Sequence, residues 1–289
     1  MSIQQRNEWM DQQCAAVCDW VKEKGFKCCI LKGQGIALEY GEELGRLRQS
    51  GDVDILMWKE DKSPMECKGD VLDLALKIDR KAKGAAHHVS IMRNGVEVEM
   101  HYAPAYLCNP FANRRFQKWF CSYDASTFKA VRGFVTPDAD YNAIFLLAHS
   151  FRHYLGEGLG LRQAMDYYFM LRGRKPDAHS NQAIMQLLSS LNMAHFTGAM
   201  MWVMQEVFFL DENFLLCRPD KHRGALLLQH IMSVGNFGHY EDKHRFLKYT
   251  HTGRFLAQLS KDLTLAVLYP REALWAPISM IREFVRIRI

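Results

Sequence analysis

The chain is expected to be an α+β protein, a small mixed sheet with flanking helices over residues 1–135 followed by a helical domain over residues 136–289. Three observations predict this. Two alternating runs flank Asn94-Gly95 in HVSIMRNGVEVEMHY; DVDILMW reads as a further strand; and beyond about Asp138 strand-like alternation becomes scarce while apolar residues recur at helical spacing. A chain of 289 residues, 48% of them hydrophobic, can fill about two domain cores.

From the N-terminus, Met10, Cys14, Val17 and Val21 are spaced three and four apart, which predicts an amphipathic helix over 7–24 ended by Gly25. FKCCIL (26–31) reads as a short strand, and GQGIALEYG as a glycine turn leading into a helix that stops near Gly41. In DVDILMW, Val53 and Ile55 alternate with Asp52 and Asp54, so a strand carries both carboxylates on one face. Residues 65–82 are helical in pattern. Asn94-Gly95 then marks a hairpin, with Val96, Val98 and Met100 on one face of its second strand and Glu97, Glu99 and His101 on the other. Tyr141, Ile144, Phe145, Ala148 and Phe151 open the helical half. Further helices are expected over 160–172, 181–191, 195–209, 225–234, 253–268 and 277–288, the last with Arg282, Arg286 and Arg288 on a basic outer face. No repeat period suggests a solenoid.

Composition narrows the function classes. The polar start MSIQQRNEWMDQQ and the lack of an apolar run near the roughly 20 residues needed to span a bilayer lead us to expect a soluble, cytoplasmic protein without a transmembrane segment. The eight cysteines lack paired CxxC spacing and are expected to be reduced. A net charge of +5, with Lys and Arg scattered, tolerates anionic substrates without indicating nucleic-acid binding.

Chemistry concentrates between Lys32 and His101. Asp52 and Asp54 on one strand, with an acid from the hairpin strand, would offer hard oxygen ligands suited to Mg²⁺ or Mn²⁺. Glu97 and Glu99 share a face, and either could supply that third carboxylate. Lys32, Gly33, Gln34 and Gly35 form a glycine turn at a helix start, where backbone N–H groups favour a phosphate, and Lys32 and Arg48 add cations on either side. His149 and His153, and likewise Arg162 and Asp166, lie one helical turn apart; with no HExxH motif, zinc is not expected there.

ILKGQGIALEYGEELGRLRQSGDVDILMW resembles the signature of the uncharacterised nucleotidyltransferase family within the polymerase β superfamily. The corresponding pieces are Leu31-Lys32-Gly33, Arg48, Asp52-Val53-Asp54-Ile55 and Glu99-Met100-His101, and LLAHSFRHYLGEGLGLRQAMDYYFML continues the likeness, so that it spans roughly residues 25–171. The resemblance implies a polymerase β-like nucleotidyltransferase domain followed by a helical one. It also implies Mg²⁺-dependent transfer of a nucleoside monophosphate from an NTP such as ATP to an acceptor, which could be a small molecule, a protein or RNA. It selects Glu99 over Glu97 as the catalytic and metal-binding partner of Asp52 and Asp54, and points to His101, His153 and Arg162 as substrate-contacting residues. Gln34 departs from the Gly-Ser that many members of the superfamily place at the phosphate turn. That departure supports an alternative, a catalytically silent nucleotide-binding or toxin–antitoxin-type regulatory protein of the same fold.

Overall fold

A computed structural model describes residues 1–82, 84–156, 158–234, 263, 265–279 and 281. The chain is a mixed α/β protein with a small sheet and many helices, and it divides into two compact units. The first comprises Met1–Tyr106 and Gln117–Asn142; the second takes Leu107–Phe116 and the described residues from Ala143 onwards.

In the first unit, helix α1 (Ile3–Glu23) starts earlier than its apolar spacing indicates, because Ser2 and Gln5 form a reciprocal capping box. Met10, Cys14, Val17 and Val21 are buried, as the spacing requires, and Gly25, at φ +81°, reverses the chain into β1 (Lys27–Ile30). The helix expected through Gly41 is broken. It becomes a single turn, α2 (Gln34–Ala37), a 3₁₀ turn at Leu38–Tyr40, and α3 (Gly41–Gly45), which begins at a glycine with φ +76°.

Strand β2 (Asp52–Trp58) is followed by α4 (Lys68–Ile78) and the hairpin β3 (His88–Arg93) and β4 (Val96–His101). The turn has φ of 49° at Asn94 and 79° at Gly95, the two consecutive positive values that an Asn-Gly hairpin turn supplies with little strain. The sheet order is β1-β2-β4-β3, with β2 antiparallel to β1 and parallel to β4. β2 is covered on both sides, as is usual for a strand with a parallel neighbour. The core beneath it gathers Val53, Ile55, Val98 and Met100 with the buried face of α1.

Two elements were not expected from the sequence. A second small hairpin, β5 (Lys129–Val131) and β6 (Phe134–Thr136), turns at Arg132 and Gly133, whose φ values are 51° and 83°. Strands of three residues are too short to show alternation. Helix α5 (Pro110–Cys121), which runs from the second unit into the first, is the other, although its buried Ala112, Phe116 and Phe120 recur four apart as a helix requires.

In the second unit the expected helices become α6 (Ala139–Leu155, which begins in the first unit), α7 (Leu161–Gly173), α8 (Ala178–Ser190), α9 (Ala194–Phe208) and α10 (Lys221–Val234). α8 starts earlier than expected because Asp177 caps it, accepting from the His179 N–H. Phe151, Tyr154 and Phe196 pack with Tyr269 in an aromatic core, at centroid distances of 4.6 Å for Phe151–Phe196 and 5.3 Å for Phe151–Tyr269. The helices expected over 253–268 and 277–288, with Arg282, Arg286 and Arg288, lie largely outside the described residues. Among the described residues no helix is long and apolar enough to cross a membrane.

Candidate functional site

The parallel pairing of β2 and β4 sets the site. Its register places Asp52 opposite Glu97 and Asp54 opposite Glu99. Glu97 is exposed, whereas ligand atoms of Asp54, Glu99 and His101 all lie within 4.8 Å of one another. The structure therefore groups Glu99, rather than Glu97, with Asp54. Asp52, half-buried at the start of β2, is not among those three.

Asp54 is 2% exposed, so its charge needs partners inside the fold. Lys32 Nζ donates to Asp54 Oδ1 at 2.8 Å, and His101 Nε2 lies 3.1 Å from the same oxygen and 3.2 Å from Glu99 Oε2. Burial alone would raise the Asp54 carboxyl, but Lys32 and His101 hold it well below the usual carboxylate range. The same contacts, acting against burial, raise the His101 imidazole and the Lys32 ammonium above their ordinary values. Asp52 responds in the opposite sense, because burial and the neighbouring Asp54 charge push it up to about 6. The His101 Nδ1–H donates to the Ala103 carbonyl at 3.2 Å, which fixes the ring and presents Nε2 to the carboxylates.

The glycine turn lies alongside. The Leu31 N–H donates to the Asp54 carbonyl at 2.9 Å, joining the turn to the strand that bears the acids. Gly33 has φ +57°, and a Cβ there would stand 3.2 Å from Ser50 Oγ. At Gly35 a Cβ would come within 2.8 Å of both the Ile30 carbonyl and Thr136 Oγ1, so no larger residue fits without movement. Because α2 is only four residues long, the turn offers backbone N–H groups rather than the dipole of an extended helix. Buried Arg48 donates from NH1 to Ser50 Oγ at 2.8 Å.

Gln34 is 2% exposed and turns toward α1. Its Nε2 donates to Asp11 Oδ1 at 2.6 Å and to the Asn7 carbonyl at 3.2 Å. Asp11 in turn accepts from Arg132 NH1 at 2.9 Å, so this side chain braces the turn from behind. His153 and Arg162 belong to the second unit. His153 stands on α6 with its ring 4.4 Å from that of His149, and Arg162 lies in the first turn of α7.

Sequence reasoning missed His87 and His88. His88 Nε2 lies 3.7 Å from Glu99 Oε1, and the three rings of His87, His88 and His101 stand together, their ligand nitrogens within 4.8 Å of one another. Burial and the neighbouring His101 charge lower the His88 imidazole to about 4. A signal was available: a two-residue turn at Asn94-Gly95 pairs Arg93 with Val96, and counting outward sets His88 opposite His101.

The sequence pattern of a family described as uncharacterised nucleotidyltransferase matches residues 2–209. No curated protein matches the chain. Among solved structures, it is similar to an antigenic nucleotidyltransferase-like protein from Paracoccidioides brasiliensis, at 13% identity and a TM-score of 0.41, covering 73% of this chain and 94% of that one.

Proposed function

The chain belongs to the uncharacterised nucleotidyltransferase family, and from that membership we propose that it transfers a nucleoside monophosphate from an NTP such as ATP to an acceptor, releasing pyrophosphate. The observation that carries this reading is the pairing of Asp54 with Glu99 on neighbouring parallel strands, directly beside Lys32 and the glycine turn. Carboxylates gathered next to backbone N–H groups match the needs of phosphoryl-type transfer, where charge on the phosphates must be neutralised and positioned.

The donor set fits a hard divalent ion, because Asp52, Asp54 and Glu99 offer carboxylate oxygens of the kind that hold Mg²⁺ or Mn²⁺. When bound there, Mg²⁺ supplies neutralisation of the triphosphate and of the leaving pyrophosphate. Lys32, with a side chain 21% exposed, can exchange its bond to Asp54 for one to a phosphate oxygen. Arg48 and the N–H groups of Gly33 and Gln34 complete the phosphate cradle, while the Gly35 N–H closes the turn by donating to the Lys32 carbonyl at 3.0 Å. Glu99, partly open to solvent and held by His101, accepts the proton of an acceptor hydroxyl as its oxygen attacks the α-phosphorus in line. The acceptor is a small molecule, a protein or RNA.

Incubating the protein with each labelled NTP, Mg²⁺ or Mn²⁺ and a cell extract should label a discrete product, and Asp54→Asn should lower the labelling by on the order of 10³-fold. Transfer left intact by this substitution would sink the mechanism. One observation favours a second reading, a catalytically silent nucleotide binder: the Gln34 amide nitrogen at the phosphate turn is occupied by Asp11 and Asn7. Calorimetric NTP binding without pyrophosphate release in the presence of acceptors would select that reading.

A further inference from the structure

Three imidazoles converge at one end of the β3–β4 hairpin. Their centroids lie 4.6 Å apart for His87–His88, 5.2 Å for His87–His101 and 5.0 Å for His88–His101. The hairpin register pairs His88 directly with His101. The backbone around them is tied down: the Tyr102 and Ala103 N–H groups both donate to the His87 carbonyl, at 3.0 and 3.2 Å, and the Ala85 N–H donates to the His88 carbonyl at 2.7 Å. His88 and His101 are thus carried on a strand pair, and His87 on the bend that these bonds tie to it.

We propose that His87, His88 and His101 form a binding site for a borderline transition ion of the Zn²⁺ and Co²⁺ class, sharing His101 with the carboxylate cluster. Imidazole nitrogens suit such ions, whereas Mg²⁺ prefers oxygen, so this site differs in chemistry from the one invoked for transfer. A tetrahedral ion with Zn–N bonds of about 2.0–2.1 Å needs its nitrogens about 3.4 Å apart. His87 Nε2 and His88 Nδ1 are already separated by 3.3 Å. The bond from His101 Nδ1 to the Ala103 carbonyl leaves Nε2 as that ring's ligand atom, the arrangement by which an outer partner orients a ligating histidine. His87 and His88 are half-buried and give an ion access from solvent, while His101 lies at the inner end. Since Nε2 of His101 also serves Asp54 and Glu99, filling the histidine site withdraws that nitrogen from both carboxylates.

The test is a Co²⁺ titration of the untagged, chelator-stripped full chain in excess Mg²⁺, read by visible ligand-field absorption. A single equivalent should give the intense bands of a low-coordinate nitrogen site. His87→Ala and His88→Gln should each weaken Co²⁺ binding by at least the roughly 10- to 100-fold that loss of even an outer partner costs. Far-UV circular dichroism should stay unchanged in both variants, and Asp52→Asn should retain the bands. Unaltered Co²⁺ affinity in both histidine variants overturns the proposal, as does the absence of ligand-field bands in the parent chain. Loss of binding in His153→Ala but not in His87→Ala also overturns it, by moving the ion to the histidine pair on α6. The readout needs no NTP, so failure of the transfer reading and failure of this one are distinguishable.

Discussion

The first unit gathers buried charges at one point of its sheet, and the second gathers buried rings at the centre of its helices. Lys32, Asp54 and His101 lie inside the sheet corner, held to one another at 2.8 and 3.1 Å, whereas Phe151, Tyr154 and Phe196 fill the helical interior with aromatic contacts. Burying an ion pair gains little stability, because desolvation offsets the Coulomb attraction. Burying a phenylalanine contributes directly through the area removed from water. Equal burial therefore carries different meanings: the aromatic interior is there for stability, and the charged corner is explained by the chemistry proposed for it.

The largest effect expected on that contrast is on activity. Asp54→Asn should lower NTP transfer by on the order of 10³-fold, about 4 kcal/mol of transition-state stabilisation, measured as labelled product per folded protein. Phe151→Ala, at the opposite pole, should cost about 3–5 kcal/mol in denaturant unfolding. Loss of transfer in that variant should follow only the loss of folded protein.

A third test uses Glu272, the one carboxylate among the described residues of the helical elements whose proton affinity is clearly raised. Glu272 is 1% exposed and accepts from the Asn109 N–H at 3.0 Å, yet burial pushes its carboxyl from 4.5 to about 7. The folded chain holds this proton more tightly than the unfolded chain. Stability from Glu272 is therefore fully present below about pH 4.5, falls as pH rises toward 7, and is flat above that. At about 1.4 kcal/mol per pH unit the total is about 3 kcal/mol, and Glu272→Gln should remove this contribution from the unfolding free energy, leaving those of Asp52 and His88.

Gly35→Ala should cost about 1–3 kcal/mol, as overpacking does, because its Cβ meets the Ile30 carbonyl. The smallest effect should come from replacing the buried pair itself. Lys32→Met combined with Asp54→Leu should leave stability within about 1 kcal/mol of the parent, or above it, while transfer is lost. A loss as large as that of Phe151→Ala would show that the charged corner supports the fold after all.

Local signals in the chain were strong where conformation is decided locally. Asn94-Gly95 announced its hairpin because few residues other than Asn and Gly accept consecutive positive φ, whereas Arg132-Gly133 makes a similar turn without that signature. The spacing of Met10, Cys14, Val17 and Val21 marked the buried face of α1. The DVD alternation put Asp52 and Asp54 on one face, but alternation alone left Glu97 and Glu99 equivalent. Gln34 looked like a phosphate contact because it follows Gly33; its amide nitrogen instead reaches Asp11, 23 residues earlier in the chain.

By itself the sequence determined the mixed α/β class, the 88–101 hairpin with its register, and the family, because each rests on periodicity or on a contiguous motif. Only the tertiary structure decided that β2 runs parallel to β4 with Asp54 beside Glu99, that Lys32 and His101 close on one carboxylate oxygen, and that three histidines meet. The physical reason is distance along the chain. A parallel pairing across more than 40 residues is set by which faces bury together, and no local preference of Asp54 or Glu99 encodes which strand becomes its neighbour.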